Sequence, residues 1–134
     1  MLIGYTLVGT NDMQRALAFY DALFGAVGVG RIIELPRMAG WGADWEKSIF
    51  GVALPADGRA ASAGNGAMIA LGQRTREKVR ILHAKALEMG GSDHGAPGIR
   101  GQEGVSNAFY AAYIRDLDGN KLCFYCVGPG GEAD

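Results

Sequence analysis

A strand, a capped amphipathic helix closed by glycine, and then further strands occur twice in this sequence, on either side of a run of small residues. That repeated order constrains the fold more than any single motif. In the first half, Leu2–Val8 is apolar and weakly alternating and reads as a strand. Thr10-Asn11-Asp12 is a helix start, with Asn11 able to cap and Asp12 well placed in the first turn. Met13, Ala16, Leu17, Tyr20, Leu23 and Phe24 recur at helical spacing, and Gly25 ends the helix. Val27–Leu35 reads as a strand weakened by Gly28 and Gly30 and stopped by Pro36. Met38–Trp45 is a glycine-broken turn or short strand, and Lys47–Leu54 is another strand.

The order then restarts. Pro55–Asn65 is a small-residue connector. It separates a first module of about 1–56 from a second of about 66–128, with 57–65 as the linker itself. Gly66–Leu71 is a short apolar strand. Thr75 can cap a helix whose apolar face is Val79, Leu82, Ala86 and Met89, ending at Gly90-Gly91. Ser92–Ser106 is rich in Gly and Pro and reads as a long irregular loop. A hairpin follows, Phe109–Ile114 against Lys121–Val127. Asp118-Gly119 marks its turn, because Gly adopts positive φ without a Cβ clash. Residues 129–134 are expected to fray.

Each half thus reads as strand, helix, then two or three strands, and the fold class expected is α+β: two such halves as a curved mixed sheet around a cleft, with the helices on the outer face. Alternate strand residues would line the cleft.

Composition narrows the functions. A chain of 134 residues suits one domain. Its net charge of −1, with no basic patch, argues against nucleic acid and anionic membrane as partners. No apolar run approaches the ~18 residues of a spanning helix. Met1 leads straight into a strand-like segment without a charged and then apolar leader, so the expected location is cytoplasmic. The 22 glycines accompany a hydrophobic fraction of 49%, which points to turns and close backbone approaches, not disorder. The two cysteines, Cys123 and Cys126, have metal- or redox-like spacing, but on a strand they face opposite ways. Their Cα atoms would lie roughly 10 Å apart, beyond the ~7 Å reach of a disulfide, so two separate reduced thiols are expected.

Several of these segments together resemble a known family. Tyr5-Thr6-Leu7-Val8 before a capped helix, Arg15–Tyr20 closing at Leu23-Phe24-Gly25, Gly64-Asn65-Gly66, Leu82-His83, Gly90-Gly91 and the run from Phe109 to Lys121 are similar to the glyoxalase/bleomycin-resistance/dioxygenase proteins of the vicinal oxygen chelate superfamily. The resemblance spans nearly the whole chain. It implies paired βαβββ modules, a cleft and, usually, a divalent metal held by His from the first strand and Glu or Gln from the last strand of each module. It specifies fold better than reaction, since the superfamily hosts isomerases, dioxygenases, epimerases, thiol transferases and drug-sequestering proteins.

Carried over position by position, the first-strand His falls on Tyr5, its second-module equivalent on Met68, and the last-strand Glu on Cys123. The strand Ser48–Leu54 contains no His, Asp, Glu or Gln in any register. The chain thus departs from the pattern at every ligand, and no metal and no cofactor are expected. Of the two histidines, His83 falls on the second helix and His94 in the long loop.

The resemblance puts Ile3, Tyr5, Leu7, Met68 and Ala70 on the cleft face, with Phe109, Ala111, Tyr113, Cys123 and Tyr125. Leu122, Phe124 and Ile114 have the opposite parity and would pack on helices. Trp41 and Trp45 flank Asp44 and are candidates either to stack on a flat ligand or to plug the sheet end. Tyr5, Leu7, Trp41, Trp45, Met68, Phe109, Tyr113, Cys123 and Tyr125 are therefore the candidate pocket residues, for a small apolar or aromatic molecule. No catalytic residue can be assigned. An enzyme of lyase, isomerase or dioxygenase type using Tyr5, Cys123, loop residues or an unexpected metal is the alternative, and a cleft filled by its own aromatics a further one. Arg100, Gln102, Glu103 and Asn107 can supply polar contacts but cannot be oriented from sequence. A homodimer is expected from the resemblance and from the need to cover sheet edges.

Overall fold

In the computed structural model, which describes residues 2–128, the two halves build the same arrangement from the same order of elements. The first has β1 (Tyr5–Gly9), α1 (Met13–Gly25), β2 (Arg31–Leu35), β3 (Met38–Trp41) and β4 (Ile49–Ala53). The second has β5 (Ile69–Gly72), α2 (Arg76–Glu88), β6 (Ser92–Arg100), β7 (Phe109–Arg115) and β8 (Lys121–Val127). The strands form two four-stranded sheets, ordered β1-β4-β3-β2 and β5-β8-β7-β6. Among the described strands only β1/β4 and β5/β8 pair in parallel, each after a crossover that includes a helix. The fold is therefore α+β with two βαβββ modules. The frayed tail expected for 129–134 lies outside the described residues.

The chain forms two compact units. One holds the residues up to Ala67 together with Leu117–Asn120; the other holds Met68–Asp116 and β8. In the first unit, α1 buries Ala16, Phe19, Tyr20, Leu23 and Phe24. Tyr20 and Phe24 meet Phe50 and Trp41 of the sheet with ring centroids 4.9–5.8 Å apart. The N-cap of α1 is Asp12, not Asn11. Asp12 has extended backbone (φ −149°) and its side chain accepts from Arg15 N. Asn11 holds the connector instead. Its Oδ1 accepts from Ala61 N at 2.7 Å and its Nδ2 donates to Ala61 O at 3.3 Å. Asp118 is equally committed to this unit, accepting from Thr10 Oγ1 at 2.6 Å and Asn11 N at 3.0 Å.

Two expected boundaries change. The strand expected from Val27 begins only at Arg31, because the amides of Val27, Gly28 and Val29 bond back to Phe24 and Gly25 carbonyls and close the helix end. The long loop expected over Ser92–Ser106 is largely a strand. β6 pairs antiparallel with β7 and absorbs its poor strand formers in two register shifts, between Asp93/Gly95 and Gly95/Gly98. Gly95, at φ +154°, sits where a side chain would be strained.

In the second unit, Val79, Leu82 and Ala86 of α2 are fully buried with Ala112, Ile114, Leu122 and Phe124. Thr75 caps α2 as expected, accepting from Lys78 N. Arg76 grips both oxygens of Glu103 at 2.8 Å and donates to Gly128 O at 3.0 Å. That bidentate pair, with the Gly104 amide, pulls the Glu103 carboxyl down to about 2. None of the described helices is long and apolar enough to cross a membrane.

Candidate functional site

Strand alternation gives each sheet one face against its helix and one turned away. In the first unit, the contacts of Phe50 and Trp41 with α1 identify the helix side. Tyr5, Leu7, Ile49, Gly51, Ala53, Met38 and Gly40 then share the other side, by register. In the second unit, the Arg76 and Arg80 guanidinium groups lie over the Tyr110 ring, which places Tyr110 on the helix side. Phe109, Ala111 and Tyr113 of β7, with Cys123 and Tyr125 of β8 and Ala70 of β5, occupy the side turned away.

That second face is aromatic and cationic. Phe109 and Tyr125 stack with centroids 5.2 Å apart and planes at 20°. Gly72 leaves room for this arrangement, since a Cβ there would lie 3.0 Å from the Tyr125 ring and hydroxyl. Tyr113 is flanked by Arg100 and Lys121, each 5.5 Å from its ring centroid. Lys121 was legible in advance, having the parity of Cys123 and Tyr125. Arg100 was not, because its position depends on β6 being a strand paired with β7.

Cys123 is 1% exposed and lies opposite Tyr113 in the β7/β8 register. Burial raises its pKa, against the opposing pull of the Tyr113 hydroxyl and the Arg100 and Lys121 charges. Two cations thus act on this thiol, yet desolvation prevails. Burial raises the Tyr113 hydroxyl too. Neither group is poised as a base or nucleophile. In a Cys126→Ala background, a small thiol reagent should label native Cys123 at least about tenfold more slowly than in the unfolded chain. Rapid native labelling would overturn this.

The two tryptophans have different fates. Trp41 is 2% exposed in the α1 cluster, and its indole N–H donates to Asp21 Oδ1 at 2.9 Å. Arg31, 2.6 Å from the other oxygen, is the main cause holding the Asp21 carboxyl below its ordinary value. Trp41 thus leaves the pocket list: its odd–even position on β3 turns it to the helix. Trp45 lies beyond β3 and is 61% exposed. Met68, just before β5, is exposed.

The superfamily's metal can be tested against the residues present. At the matching positions stand Tyr5, Met68 and Cys123. On β4, Ile49, Gly51 and Ala53 face the same side as Tyr5. The Ser48 hydroxyl is engaged, donating to Ile3 O at 2.8 Å. His83 pairs with Asp93 at 3.0 Å, and His94 is exposed on β6. Among the described residues no group of three or more His, Cys, Asp or Glu could hold a metal ion. An aliphatic strand, a phenol, a thioether and a buried thiol do not suit an octahedral oxygen- and nitrogen-bound ion.

One recess within the first unit was not anticipated. A cavity of about 650 Å³ is lined by Leu7, Leu35, Met38, Ala53, Leu54 and neighbouring residues. A second, of about 320 Å³, shares Arg37, Leu54, Pro55 and Ala56 with it and adds Thr10, Asn11 and Arg59. Leu7, a candidate pocket residue, is the part of the larger cavity's wall legible in the sequence; separate chain segments supply the rest.

The comparisons with known proteins agree with this architecture. The family model for the glyoxalase/bleomycin resistance protein/dioxygenase superfamily matches residues 2–124. A crystal structure of a glyoxalase/bleomycin resistance protein from Albidiferax ferrireducens T118 is 31% identical, with a TM-score of 0.83 over 94% of this chain and 99% of that one. A family enzyme from Burkholderia phytofirmans PsJN, 24% identical, has a TM-score of 0.68 over 92% of this chain and 97% of its own. A glyoxalase-related enzyme from Fulvimarina pelagi, 15% identical, reaches 0.69 over 94% and 88%. These last two speak for the fold alone. No functionally curated protein matches the chain. With its family model spanning both modules, the chain belongs to the glyoxalase/bleomycin resistance protein/dioxygenase superfamily.

Proposed function

We propose that this chain is a metal-independent binding member of its superfamily, taking up a small apolar or aromatic molecule on the sheet faces turned from the helices. The observation that carries the reading is the Phe109–Tyr125 stack seated over Gly72. Two parallel rings at the face of a sheet offer a flat ligand a third place in the stack. The raised pKa values of Tyr113 and Cys123 support binding over catalysis, because neither is a ready base near neutral pH. The alternative, a lyase, isomerase or dioxygenase, is favoured only by the cations Arg100 and Lys121 beside that pair. The exposed Tyr5 and Leu7 support a homodimer, and the two free thiols support a reducing compartment such as the cytoplasm.

Calorimetry with 1-naphthol, before and after dialysis against EDTA, tests the proposal alongside elemental analysis and light scattering. Saturable naphthol binding that survives EDTA is expected, from a dimer of 14.1 kDa chains without stoichiometric metal. One equivalent of Mn, Fe, Ni or Zn, or naphthol binding lost with EDTA, would sink the metal-independent reading. A monomer would remove the dimer from it.

A further inference from the structure

The geometry points to a second ligand site, formed wholly by first-unit residues, for an amphipathic molecule with an apolar chain and an oxyanion head. The 650 Å³ cavity supplies the apolar part, between Leu7, Leu35, Met38 and Ala53. Its size falls within the range usual for small-molecule sites, about 300–1,000 Å³. Arg37 stands in the wall of both this cavity and the adjoining 320 Å³ recess, where Arg59 joins it.

Both arginines are exposed, and neither guanidinium is paired with a carboxylate among the described residues. The nearby acids are engaged elsewhere. Asp57 accepts from the Arg59 backbone amide at 2.9 Å, and Asp118 accepts from Thr10, Asn11 and Arg15. Neither acid lines the recess. An arginine in the wall shared with the apolar hollow, and a second in the adjoining recess, match a carboxylate or phosphate monoester carrying an alkyl chain, since Arg binds such heads in bidentate fashion. A neutral molecule would leave the recess unused, and a bare anion would leave the hollow unused. Leu7, Met38 and Ala53 belong to the first-unit sheet face turned from α1, so the inference rests on the reading of those faces as ligand-binding and deepens it, while sharing no residue with the Phe109–Tyr125 stack.

Calorimetry and chemical-shift mapping on the full chain, with decanoate, decyl phosphate, 1-decanol and inorganic phosphate as probes, test it. One decanoate or decyl phosphate per chain is expected, with shifts at Leu7, Met38 and Ala53. Whichever binds tighter identifies the head group, and either supports the site. 1-Decanol should bind at least about tenfold more weakly, as should decanoate to Arg37→Gln and Arg59→Gln, each loss matching one charged hydrogen-bonding partner. Leu35→Asp, at an exposed lip position, should weaken decanoate and decanol together. Tyr125→Ala should leave decanoate binding unchanged. Equal affinity for decanol and decanoate, unaltered affinity in both arginine variants, inorganic phosphate binding as tightly as the amphiphiles, or loss of decanoate in Tyr125→Ala would overturn the proposal. Naphthol binding in the same samples reports separately on the aromatic face.

Discussion

Trp41→Ala should lower the free energy of unfolding by about 3–5 kcal/mol, the usual cost of deleting a large buried aromatic. Trp41 is 2% exposed and touches Tyr20 and Phe24 with ring centroids 5.5 and 5.8 Å away. Its removal opens a hollow against α1 and takes the indole N–H from Asp21, which keeps its Arg31 partner. The effect should therefore be on stability. Denaturant unfolding should show a lower midpoint, while 1-naphthol affinity, measured well below that midpoint, stays within about twofold. A stable Trp41→Ala variant that has lost naphthol would return Trp41 to the ligand site and contradict its placement in the core. Trp45→Ala is the matched control: at 61% exposure its loss should change stability by less than about 0.5 kcal/mol.

The second large effect separates two adjacent residues. Phe124→Ala should cost about 3–5 kcal/mol, because Phe124 is fully buried on the α2 side of β8. Tyr125→Ala, one residue on, should cost much less. Tyr125 is half-buried on the opposite face, stacked on Phe109. Its loss should instead weaken 1-naphthol by at least about tenfold, the scale of one aromatic stacking partner with its buried area. Paired unfolding and calorimetry on the two variants read both predictions. If Tyr125→Ala bound naphthol unchanged, the Phe109–Tyr125 stack would be a structural feature and the function proposed for it would fall.

Both predictions depend on period-two alternation, which was legible in β8 from Lys121-Leu122-Cys123-Phe124-Tyr125-Cys126 alone. The sequence also contained the repeat itself, the cap at Thr75 and the apolar faces of both helices. These are local properties: the spacing of side chains along one element and the chemistry of its first turn decide them. The departure from the superfamily's ligand pattern was legible too, because it concerns residue types.

What the sequence left open required partners distant in the chain. Ser92–Arg100 reads as a loop, since Gly and Pro disfavour a strand, but pairing with β7 and two bulges make it one. Trp41 reads as a pocket residue until α1 packs over it. Arg37 and Arg59 read as ordinary surface charges. Only the meeting of the β1 end, the β2–β3 turn and the connector places Arg37 in the wall of an apolar hollow and Arg59 in the recess adjoining it. Local pattern thus determined both helices, the final hairpin and the faces these bury. Tertiary contact alone decided where an unfavourable stretch is recruited into a sheet and where separate segments make a recess, because those outcomes depend on energies shared between residues far apart in sequence.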